Sequence, residues 1–138
     1  MNSNLLDLLC VLWCIKFFAK DIHYSASGND FYSDHLFADE VANGLDDLID
    51  SINENLYLGY KQTAPTSKEV LEVVMDELPD VSFDSNRNWK MMYDLIEHGL
   101  QVIDAIEDAY DMPELNSLLD NIADNLQKSR GLIWRRIA

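Results

Sequence analysis

Three observations predict an all-α chain, a four-helix bundle with a long crossover between its second and third helices. Apolar residues recur at threes and fours along several long stretches. Only 5 Gly and 3 Pro leave little chain for turns. The segment between the second and third long stretches is too long for a tight turn and holds a short amphipathic helix of its own. At 138 residues the chain suits one domain, 1–138, able to bury a core without disulfide or metal staples.

The first helix is expected from about Asn4 to Ala26, with Gly28 in the left-handed conformation that closes a helix. It is apolar nearly all round, as for a helix buried by a bundle and by neighbouring subunits. Ser33 or Asp34 caps a second helix to about Tyr57, closed by Gly59 and about 38 Å long if straight. The crossover follows, with a helix at Ser67–Leu78, a capping box from Thr66 to Glu69 and Pro79 as its stop. Ser85 to Asp108 forms the third long helix, striped by Met92, Leu95, Ile96, Leu100, Ile103 and Ile106. Asp111 and Pro113 open the fourth, striped by Leu115, Leu118, Leu119, Ile122 and Leu126. Four helices with one long crossover is the ferritin-like arrangement.

Ten basic against 25 acidic side chains leave a formal charge of −15. Such a field repels nucleic acid and anionic membranes and attracts metal cations. Cys10 and Cys14 lie one turn apart, just within disulfide reach, but buried reduced thiols in a cytosolic protein are the simpler expectation. The opening stretch has no basic region ahead of its apolar run, Asp7 interrupts it and no small-residue cleavage site follows. A buried helix is therefore preferred to a signal anchor, and a cytoplasmic location is expected.

His23, His35 and Asp39 cluster in one stretch, and Asp50 and Glu54 follow at one-turn spacing. The di-iron site built within one ferritin-like chain needs Glu-x-x-His pairs. None exists, since Lys20, Tyr32 and Leu95 stand three residues before His23, His35 and His98. On a straight helix His35 and Asp50 lie roughly 22 Å apart, whereas metal–ligand bonds are about 2.0–2.3 Å. One chain cannot close them on one ion. Two copies packed antiparallel about a two-fold axis can, giving two identical sites per dimer. The midpoint of these positions falls between Gly44 and Leu45, where a glycine would let two backbones approach. Chance acid pairs and ordinary surface histidines are the plainer alternative.

Read together, HYSASGNDFYSDHLFADEV and LDDLIDSINENLYLG resemble the Dps-type mini-ferritins, the DNA-binding proteins from starved cells. His23, Gly28, Phe31, His35, Asp39, Asp50 and Glu54 stand at the positions of that pattern, and GLIWRRIA resembles the closing Trp-containing helix. The resemblance covers nearly the whole chain. It implies a ferroxidase that oxidises Fe(II), two irons per hydrogen peroxide, without releasing hydroxyl radical. It also implies a dodecamer with ferric mineral inside, an intersubunit iron centre and protection from oxidative damage. In that scheme His23 and His35 give imidazole nitrogens, while Asp50 and Glu54 of the neighbour give carboxylates, Glu54 bridging. Asp39 holds a second, weaker ion directly or through water.

The chain departs from the pattern at Tyr24, where Trp is usual, and at Asn55, where Arg is usual. The Lys-rich N-terminal extension of DNA-binding members is not present before Lys16. Lys128, Arg130, Arg135 and Arg136 either complement a helix C-terminus or form a DNA-contacting patch repeated around a shell. The second function hypothesis is accordingly a DNA-compacting structural protein with weak or no ferroxidase activity. Asp108, Asp111 and Glu114 either line an iron-entry pore or are solvated helix-terminal acids.

Overall fold

A computed structural model describes the backbone of residues 2–138 and the side chains from residue 4 onward. The long helices are α1 (Asn2–Ser25), α2 (Phe31–Asn43), α5 (Ser85–Ala109) and α6 (Pro113–Ile137). Two antiparallel hairpins, α1/α2 and α5/α6, pack together through α1 and α5. The chain passes from α2 through α3 (Asp46–Ser51) and the crossover helix α4 (Ser67–Glu77), which lies across α1. No described residue is in a strand. This is the four-helix bundle with a helix-bearing crossover that the periodicity predicts.

Burial explains why α1 is apolar on so many sides. It touches α2, α3, α4 and α5, and Leu5, Leu8, Leu12, Ile15 and Phe18 are fully buried by this chain alone. No helix among the described residues is long and apolar enough to cross a membrane. The stripes of α5 and α6 face each other: Met92, Ile96, Ile103 and Ile106 meet Leu115, Leu119, Ile122 and Leu126 in one core, with Leu95, Leu100 and Leu118 partly buried at its edge. Trp89 is also fully buried, stacked on Phe37 at 4.8 Å.

The caps explain the ends. Gly28 sits at φ +83, where a side chain would be strained. Thr66 and Glu69 form the expected reciprocal capping box on α4. Asp84 caps α5 by accepting from the backbone N–H groups of Asn86 and Arg87.

The second helix differs from expectation in three ways. It starts at Phe31 with Asp30 before it, because the Asp34 carboxylate is used elsewhere and caps nothing. It bends through a turn at Gly44 and Leu45, but both residues keep right-handed helical torsions, so the chain runs on and His35 and Asp50 join no common ligand cluster among the described residues. A Cβ on Gly44 would lie 3.2 Å from Asn125 Nδ2, so the glycine admits α6 of its own chain. Beyond α3 the helix widens into a π-helical turn, Ile52–Tyr57, then a short 3₁₀ turn, Leu58–Tyr60. Closure comes at Lys61 (φ +58), two residues after Gly59, and the Gln62 N–H donates to the Tyr57 carbonyl at 2.8 Å.

Candidate metal centre

The turn at residues 26–30 folds the last turn of α1 against the start of α2 and brings His23 onto His35. Their rings stack with centroids 3.6 Å apart and 16° between planes. Each Nδ1 lies 2.7 Å from the backbone oxygen of the other residue. A carbonyl oxygen only accepts, so both Nδ1 atoms carry the proton and donate it. Two tautomers are fixed by one reciprocal contact. Each Nε2 is left with the lone pair that a metal requires. Phe31 stacks on the His35 ring at 5.1 Å, and Tyr24 meets His23 edge-on at 5.1 Å.

Asp39, one turn beyond His35, is held by its own chain. Its Oδ1 accepts from Lys20 Nζ at 3.2 Å and its Oδ2 from Asn43 Nδ2 at 3.2 Å. The Lys20 hydrogen bond, with the Lys20 charge and the Asn43 bond, holds this carboxyl below its usual range. Lys20 is the residue that stands where a Glu-x-x-His pair would need its glutamate. Any cation on Asp39 must displace or share with this ammonium.

Asp50 lies in the last turn of α3 and Glu54 in the π-helical turn; both are exposed, and neither side chain has a hydrogen-bond or ion-pair partner among the described residues. Such a turn is rare inside a helix and frequent at functional sites. Among the described residues no three His, Cys, Asp or Glu side chains converge to hold an ion. The structure thus joins His23 to His35, sets Asp39 alongside but tied to Lys20, and leaves Asp50 and Glu54 apart. Apolar side chains are exposed beside both halves: Tyr24, Phe31, Tyr32 and Leu36 near the imidazoles, Leu58 one turn beyond Glu54.

Several other candidate groups are buried or held by their own chain. Burial, with Glu77 nearby, pushes the thiols of Cys10 and Cys14 up to about 11 and about 12, so both are free, buried and protonated. Burial raises the Glu107 carboxyl, helped by Asp120, Asp104 and Asp108, while Glu114 accepts a 2.7 Å bond from the Tyr60 hydroxyl. Arg130 donates to Glu97 at 2.7 Å. Arg136 donates to both oxygens of Asp34, at 2.8 and 2.9 Å, and to Asn86 at 2.7 Å. Sequence reasoning missed Lys20, Asn43 and the Asp34–Arg136 pair. Lys20, three residues before His23, and Asn43, one helical turn beyond Asp39, lay where local spacing could have exposed them; the Asp34–Arg136 pair did not.

No family model matches the chain, and no curated protein matches it. Solved structures do. A point mutant of Dps1 from Mycobacterium smegmatis superposes with a TM-score of 0.79 at 15% identity, covering 99% of this chain and 93% of that one. Dps from Thermosynechococcus elongatus superposes with a TM-score of 0.69 at 15% identity, covering 99% and 91%. The fold is Dps-type and ferritin-like over nearly its whole length.

Proposed function

We propose that this chain, built on a Dps-type ferritin-like fold, is an iron-sequestering mini-ferritin. It oxidises Fe(II), with hydrogen peroxide as the favoured oxidant, at centres shared by two subunits, and keeps the ferric product inside a hollow shell of twelve. Iron is the substrate and cargo. Two Fe(II) ions give one electron each, the peroxide O–O bond breaks and two hydroxides form.

One observation carries this reading: the reciprocal bonding of His23 and His35, which commits two Nε2 lone pairs without help from metal. Imidazole selects transition ions over magnesium and calcium. Two nitrogens do not complete a site, so carboxylates must come from elsewhere. Asp50 and Glu54 of a second copy supply them in the two-fold arrangement, with Asp39 taking a weaker second ion. The exposed apolar residues beside both halves support a contact there, since clustered exposed apolar surface marks interfaces.

The DNA-compacting reading loses two of its four C-terminal cations, because Arg130 and Arg136 are spent on acids of their own chain. A gel shift at low salt that vanishes on C-terminal truncation would restore it.

The decisive experiment is solution mass with metal content, followed by Fe(II) oxidation. A twelve-subunit mass, two metal sites per dimer and a fast oxidation phase absent from a His35→Ala, Asp50→Ala double variant are expected. A monomeric mass, or unchanged kinetics in that variant, removes the proposal.

A further inference from the structure

The deepest ionic contact in the described chain lies next to the imidazole pair. Asp34 is 2% exposed, yet it carries a carboxylate in the first turn of α2. Arg136, from the last turn of α6, meets it with two parallel N–H···O bonds of 2.8 and 2.9 Å across 102 residues of sequence. A third N–H of the same guanidinium reaches Asn86 Oδ1 on α5 at 2.7 Å, and Asp30, just before α2, lies 3.5 Å away. One side chain therefore ties the start of α2 to two other helices. A planar fork holds a carboxylate in orientation as well as in place.

We infer that the Arg136–Asp34 contact is a positioning lock for the His35 imidazole, an inference that rests on the metal reading of that imidazole. Successive helical residues point about 100° apart, so fixing Asp34 fixes the rotation of α2 that aims His35 at α1. The side chain of Asp30 makes no capping bond to the first turn, so the usual local device for pinning a helix start is missing here. Without the fork, α2 can roll about its axis. The His35 Nδ1–H then loses the His23 carbonyl, and the orientation of both Nε2 lone pairs is lost with it. Arg136 acts through Asp34 and touches no metal, which makes it a positioning residue.

The test uses the full-length protein. Because an unpaired buried carboxylate can unfold the chain, Arg136→Met is accompanied by the paired variant Asp34→Asn with Arg136→Gln, which removes both charges together and the fork with them. Circular dichroism and solution mass establish that each is folded. Two readouts follow: solvent exchange of the His23 and His35 Nδ1–H protons by NMR in metal-free protein, and Co(II) titration followed by visible absorption. In the variants, Nδ1–H exchange should quicken and Co(II) affinity should fall about tenfold. Arg136→Lys, which keeps the charge but not the fork, should recover part of both. Folded variants with unchanged exchange overturn the lock. Wild-type protein that ignores Co(II) overturns the metal reading, while the exchange measured without metal still decides the lock.

Discussion

The two halves of the proposed centre differ in how much their own chain does for them. On the imidazole side every group is held: His23 and His35 by each other's backbone, Asp39 by Lys20 and Asn43. On the acid side Asp50 and Glu54 project from a short helix and a π-helical turn, exposed and without such partners. The nearest anchor there is the ion pair between Lys16 and Asp46, at the start of α3. The difference is physical. Imidazole needs a set tautomer and ring plane before it can ligate, whereas a flexible carboxylate can adjust to an ion already placed. The proposed centre would join a preorganised half to an adaptable one.

Exchanging the halves between subunits tests this most severely. His35→Ala and Asp50→Ala should each lower the fast Fe(II) oxidation rate by more than about a hundredfold. Co-folded from equal amounts of both, about half of the dimers are mixed and each regains one site of two. The initial rate should therefore return to about a quarter of wild type. A mixture no faster than its components breaks the shared-site scheme.

Lys20 sharpens the comparison from the other side. Lys20→Met frees Asp39 and should tighten Co(II) binding to the weaker position by about two- to fivefold, read by titration beyond the first equivalent. Weaker binding would mean that Lys20 holds Asp39 in place for the ion.

Acidity gives a smaller effect. The carboxyl of Asp39 is lowered in the folded chain, so its contribution to stability is present above the unfolded value of about 3.8. It is lost as pH falls through the lower folded value. Urea midpoints across that acidic range should separate wild type from Lys20→Met above the transition and converge below it.

The smallest change expected is at Gly44. Alanine there should alter stability by less than about 1 kcal/mol, because better helix propensity offsets the 3.2 Å approach to the flexible Asn125 amide. Assembly mass should be unchanged; a loss of assembly would return Gly44 to an interface between copies.

Much of this was legible in sequence wherever structure is local. The α4 capping box, Pro113 at the start of α6 and the stripes of α5 and α6 all match, because caps and periodicity act within a few residues. The bend at Gly44 was not legible. Ala38, Val41, Ala42, Leu45, Ile49, Ile52 and Leu56 are buried and keep helical spacing straight through it. What distinguishes the position is Asn125, a contact 81 residues away that no periodicity records. Asp34 misled for a similar reason: it has the composition of a cap, but its partner is 102 residues on. At the candidate site spacing and resemblance supplied the candidate residues, while the reciprocal histidine bonds required the hairpin itself.

The two sulfurs of α1 bear on how such a protein would age. Cys10 and Cys14 have no exposed surface, and burial keeps them as neutral S–H groups. The thiolate, not the neutral thiol, attacks peroxide, so oxidant drawn towards iron would find almost no competing nucleophile at these two sulfurs. If the proposed oxidation takes place, repeated turnover should leave both sulfur atoms at their original mass, and the scaffold would outlast many cycles of it.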